Sequence, residues 1–226
     1  MDNFEEIDYK EVSHYLKMPK LSDEDIVLFD SVKKLLLDIA EPKIIARMEN
    51  CEIVDGFYYL PELGLHLKSN DVNKYFVNVE KIGVVAATIG VAVDRKIAFY
   101  SKIDMVKAMV LDAMSNVLVE NLVDNWEYKM HNEYPDYEFC MRYSCGYGDL
   151  SIEMQPQIIK ALNATKLIGI SVCKSNMMIP QKSISAFLGL TKTKNKDEKI
   201  DICQLCALQG KCTTKCRRAL QNGKIK

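Results

Sequence analysis

Apolar residues recur at three- and four-residue spacing from Ser22 to Ala40, where Ile26, Val27, Phe29, Val32, Leu35, Leu36 and Ile39 fall on one face of a predicted helix. Ser22 and Asp23 suit its cap, and Pro42 closes it. From Lys43 to Leu67 the pattern shortens to β-like runs, Lys43–Met48 and Phe57–Leu60, broken by Asp55-Gly56 and Pro61. Those runs predict antiparallel strands. The stretch from Ile82 to Ala92, rich in Val and Ile, reads as a strand buried on both faces that ends near Gly90 and leads through Asp94-Arg95-Lys96 into a further helical pattern.

Between Ile103 and about Lys129, positions such as Met105, Ala108, Leu111, Val117, Leu118, Leu122 and Trp126 predict one long amphipathic helix, the longest of the chain. Met105, Met109 and Met114 are expected in the core, as are Met177 and Met178. A polar break at Asn132–Asp136 leads to a Tyr-, Cys- and Gly-rich segment, Arg142–Leu150, predicted to be a site loop. A helix from Met154 to Leu162, a β-like run at Ile168–Val172 and a strand opened by Met177–Pro180 and running through Ser183–Leu190 complete the body. The order is mixed rather than repeating βαβ. It predicts an α+β domain with a central, largely antiparallel sheet and flanking helices over residues 1–190, a charged linker over 191–199 and a Cys-rich tail over 200–226.

The 226 residues are 48% hydrophobic and 27% charged, which excludes disordered and fibrous classes. With 30 Lys and Arg against 31 Asp and Glu, the net charge is -1, so the long-range field that drives nucleic-acid or anionic-membrane binding is not expected. The most apolar run, Ile82–Val93, is too short to span a bilayer, and the acidic start carries no secretory pattern. A cytoplasmic location without disulfides is the expectation.

Two constellations carry chemistry. Cys203, Cys206, Cys212 and Cys216 form a C-x2-C-x5-C-x3-C array whose thiolates suit zinc or an iron–sulfur cluster; the alternative is four small apolar residues of a short helix with no metal. A metal would order a tail too small to fold around a core of its own. The second constellation is Arg142-x-x-x-Gly146-Tyr147. Arg offers a planar fork for a carboxylate, glycine allows close backbone approach, and Tyr offers a flat face with a polar tip, useful parts for an amino-acid-bearing nucleotide; the alternative is an ordinary loop, since Arg, Gly and Tyr occur together in many turns. Cys145 and Cys173 have no base placed beside them and read as buried packing thiols rather than reactive ones. His14, His66 and His131 are scattered and form no ligand set.

The run from Arg142 to Leu190, with R-x-x-x-G-Y, the Asn163–Ile170 segment, the Met178-x-Pro180 step and Ser183-x-Ser185, resembles the activation domain of vitamin B12-dependent methionine synthase. The upstream Ala87-Thr88-Ile89-Gly90 strand, the helix with Asp112-Ala113 and Glu120, the start at Glu11–Leu16 and the Cys-rich tail resemble stand-alone members of that family. The resemblance implies a protein that binds S-adenosylmethionine beside a corrinoid and supports reductive remethylation of its cobalt. It would act on a cobalamin-dependent methionine synthase or related corrinoid methyltransferase, with a reductase or other electron donor. Arg142 would take the ligand carboxylate, the backbone around Ser144, Gly146 and Tyr147 the amino acid and adenine, and Glu120 the ammonium. Alone, the chain would not be a complete enzyme.

Four positions depart from the family pattern: Cys145 and Ser151 replace prolines, Lys174-Ser175 replaces Glu-Ser, and Ala186 replaces glycine. They imply a less rigid loop and an inverted charge near the ligand. An alternative function is a Cys-ligated metal or iron–sulfur redox or interaction module with a degenerate S-adenosylmethionine site.

Overall fold

The computed structural model describes residues 5–18 and 20–192. Cys203, Cys206, Cys212 and Cys216 lie outside the described residues, as does nearly all of the charged linker. After α1 (Tyr9–Tyr15), α2 (Asp23–Ile39) starts at Ser22, whose hydroxyl accepts from the Asp25 N–H at 3.2 Å while the Asp25 carboxylate accepts from the Ser22 N–H at 2.9 Å. That reciprocal capping box fixes the helix where its sequence predicts.

Strand β1 (Lys43–Asn50) leads to a small meander, β2 (Glu52–Val54), β3 (Phe57–Leu60) and β4 (Leu65–Leu67). Next come α3 (Asn70–Tyr75), β5 (Lys81–Thr88), α4 (Val91–Ile103), α5 (Met105–Glu133) and β6 (Glu138–Phe139). The chain continues through α6 (Gln155–Ala161), α7 (Ala164–Ile168), β7 (Ser171–Val172), β8 (Met178–Ile179) and β9 (Ser183–Thr191). Its central sheet has the order β1-β5-β9-β6 and is antiparallel throughout, with Val85 opposite both Ala46 and Ala186. The fold is therefore α+β with helices flanking an antiparallel sheet, as the sequence predicts.

Strand β5 explains its own apolar run. Ile82, Val84 and Ala86 face a core shared with Phe187, the meander, α3, α6 and α7; Val85 and Ala87 face Leu122 and Val123 of α5. Both faces are covered, so alternation disappears from the sequence. Each valine buried this way contributes about 1.5–3 kcal/mol.

Three expectations change. The Ile82–Ala92 strand stops at Thr88, because Gly90 takes φ +92° and Val91 already begins α4. Ile168 ends α7 rather than starting a strand, with Gly169 in the left-handed conformation after it. Of the methionines expected in the core of α5, only Met114 is buried; Met105 and Met109 are exposed near the α4–α5 corner. Periodicity alone does not show that the first turn of a helix stands exposed at a corner.

Candidate functional site

The chain after β6 is held to β9 by Tyr143 and Phe187, which exchange both backbone hydrogen bonds at 2.8 Å. Tyr143 enters the sheet core, so its neighbours Arg142 and Ser144 project to the other side, over α5 and β9. There a cavity of about 510 Å³ opens. Its walls include Glu120 of α5, Arg142, Ser144, Cys145 and Tyr147 of the loop, Asn176 to Met178 and Ser183 to Ala186, with Tyr15, Met141, Ile152 and Gln155.

The Arg142 side chain is only 13% exposed and meets three acids spaced one helical turn apart on α5. Its Nη2 donates to Glu120 Oε2 at 3.4 Å and to Asp124 Oδ1 at 2.5 Å, and Nε lies 3.2 Å from Glu127 Oε2. Among the described residues Glu127 Oε2 has no hydrogen-bond donor, and buried Arg142 Nη1 has no acceptor. Burial pushes the Glu127 carboxyl up; Arg142 pulls it down and the two neighbouring acids push it up again. Three carboxylates thus surround the one guanidinium, and of the three only Glu120 lines the cavity.

Gly146 takes φ +87° and donates its N–H to the Leu150 carbonyl at 2.8 Å. It turns the loop between Ser144 and Tyr147, which both line the cavity. Tyr147, by contrast, is 55% exposed and stands at the cavity wall. Behind them Gln155 and Ser185, both buried, bond each other at 2.8 and 3.0 Å.

Both Met177 and Met178 line the cavity; Met178 also packs against the core as expected, whereas Met177 is exposed. Lys174 lies exposed in the turn between β7 and β8 and is absent from the wall, so the charge inversion does not face the cavity. Cys145 does line it, buried, with its thiol pushed up to about 12 by burial. Such a thiol stays protonated and packs. Cys173 is not buried as predicted: its thiol is held low by the Ser175 hydroxyl, 3.0 Å away. His131 stacks on Phe139 and His66 bonds the Val54 carbonyl, both away from the cavity.

Sequence reasoning missed Gln155, Asn176, Tyr15, Asp124 and Glu127. Only the last two carried a signal, the spacing of 120, 124 and 127 on one helix stripe. Among the described residues no group of three or more His, Cys, Asp or Glu is arranged to hold a metal ion. Nor is any described helix long and apolar enough to cross a membrane.

The family model for the vitamin B12 dependent methionine synthase activation domain matches residues 72–200, more than half of the chain. The chain belongs to that family. The matched residues of this activation domain include the sheet strands β5, β6 and β9, helix α5 and the Arg142–Tyr147 loop, and so nearly the whole cavity wall. A crystal structure of the MetH reactivation domain bound to AdoHcy is similar in fold, with a TM-score of 0.55 and 17% sequence identity. The alignment covers 74% of this activation domain and 65% of that chain, so the chain spans less than two thirds of the length of the solved relative. No curated protein matches it.

Proposed function

We propose that this activation domain binds S-adenosylmethionine in the cavity and presents it to a corrinoid protein, supporting reductive remethylation of a cobalamin-dependent methionine synthase or related corrinoid methyltransferase. The observation that carries the reading is the meeting of Arg142 and Glu120 at one wall of a cavity that Met177, Met178 and Ile184 also line. The ligand combines an ammonium, a carboxylate and a sulfonium with a flat adenine. Glu120 takes the ammonium and Arg142 the carboxylate, while the acid excess around Arg142 favours a sulfonium over a neutral thioether. Ser144 holds the amino-acid end, and Tyr147 gives the adenine a flat partner. The Met177, Met178 and Ile184 side chains shed water from the reacting end.

The bound ligand supplies an electrophilic methyl group, and the nucleophile belongs to the partner's cobalamin. This chain orients and needs no general base, so proximity is its contribution. The electron for reduction comes from a reductase or other donor. The partner would cover the mouth of the cavity, where Tyr15, Tyr147 and Met177 are exposed.

Calorimetric titration with S-adenosylmethionine tests the reading. We expect micromolar-range binding, weakened on the order of 100-fold in Glu120→Gln and in Arg142→Ala by loss of a charged hydrogen-bond partner. S-Adenosylhomocysteine should bind more weakly than S-adenosylmethionine. Absence of binding by the folded wild-type protein, with and without a corrinoid present, overturns the proposal.

A further inference from the structure

The loop carrying Ser144 and Tyr147 contains no proline from Arg142 to Gln155, so its rigidity has to come from contacts. Two residues beyond Tyr147 the chain leaves the cavity and reaches the start of α3, 78 residues away in sequence. The Asp149 carboxylate accepts three hydrogen bonds there: from the Ser69 hydroxyl, from the Asn70 N–H at 2.8 Å and from the Asp71 N–H at 3.1 Å. In return the Asp149 N–H donates to Asp71 Oδ2 at 3.2 Å. Ser69 is itself buried and also accepts from the Val72 N–H at 2.9 Å, so the anchor is part of the core.

Gly148 shows how closely the two segments meet. It takes φ +53°, and a Cβ there would lie 2.2 Å from Asp71 Oδ2 and 2.3 Å from the Tyr143 hydroxyl. That hydroxyl donates to the Tyr147 carbonyl at 3.1 Å, closing the loop from inside. Asp149 itself does not line the cavity.

We infer that Asp149 is a positioning residue for the ligand site: by docking the 143–150 loop on α3, it holds Ser144 and Tyr147 ready for the ligand, so affinity depends on a carboxylate the ligand never touches. Without this clamp the loop would be ordered only on binding, and affinity would fall by the cost of ordering it. The inference rests on the cavity being the S-adenosylmethionine site.

The test uses the full chain and S-adenosylmethionine, comparing wild type with Asp149→Ala, Asp149→Asn and Ser69→Ala at a temperature where all are folded by near-ultraviolet circular dichroism. We expect affinity to fall about tenfold in Asp149→Ala, as for a loop that must order on binding. Asp149→Asn should fall between, since its amide oxygen still accepts. The Ser69→Ala and Asp149→Ala effects should be less than additive in the double variant, as for one contact. A lower melting temperature with unchanged affinity in every variant means a merely structural role and overturns the inference. If wild type does not bind, the ligand reading fails, and amide exchange over residues 144–150 judges the clamp itself. Faster exchange in Asp149→Ala upholds it, and unchanged protection overturns it.

Discussion

Glu127 shows how a buried acid can be kept near a cation and still be unfavourably placed. Its carboxyl is pushed up by burial more than Arg142 pulls it down, and Asp124 and Glu120 add repulsion. A carboxyl raised above its unfolded value binds its proton more tightly in the folded state. It costs nothing below the unfolded pKa, and its cost is fully present once pH has risen through the folded one. Glu127→Gln should therefore raise the melting temperature by about 2 °C at pH 7.5, and the gain should disappear near pH 4. Differential scanning calorimetry at the two pH values checks this, and a loss at pH 7.5 would mean that the Arg142 pair outweighs desolvation. Arg142, Ser144, Tyr147 and Glu120 were legible as residues because a short motif and a family resemblance single them out. Gln155 was not, since an amide bonded to Ser185 looks in sequence like any polar helix residue.

At the scale of elements, β9 is as tightly enclosed as β5. A Cβ on Gly189 would stand 2.9 Å from Val79 Cγ2 and 3.1 Å from the Phe76 ring, both buried. Gly189→Ala should cost about 1–3 kcal/mol through overpacking. In urea unfolding it should lower the midpoint with little change in slope. An unchanged midpoint would show that the loop from Phe76 to Glu80 can withdraw. That loop is anchored from several sides: the Tyr58 hydroxyl donates to the Phe76 carbonyl, Cys51 Sγ to the Val79 carbonyl at 3.3 Å and Thr191 Oγ1 to the Asn78 carbonyl at 2.8 Å. Elements with strong local signals, α2 with its capping box, the long α5 and strands β1, β3 and β9, were legible in sequence. Short α3 and α7 were not, because one or two turns cannot display a period and their ends are set by tertiary contacts.

For the whole molecule, the described body and the Cys-rich tail are proposed to be separate units. If Cys203, Cys206, Cys212 and Cys216 hold one metal ion or cluster, Cys203→Ser should abolish metal content in anaerobically purified protein and leave the body's thermal transition within about 1 °C, as for independent units. A brown protein would indicate an iron–sulfur cluster, and stoichiometric zinc a structural site. Metal-free wild-type protein would leave the four cysteines as packing residues. The sequence by itself determined the α+β class, the two-sided burial of β5, the loop at Arg142–Leu150 and the family, because periodicity, turn residues and motifs are local properties of the chain. Only the tertiary structure decided that the stripe Glu120, Asp124 and Glu127 surrounds Arg142 and that Lys174 misses the cavity wall. It alone also decided that Asp149 reaches α3. Those facts depend on the crossing of α5 over the sheet and on contacts between residues tens of positions apart, for which a single sequence carries no periodic signal.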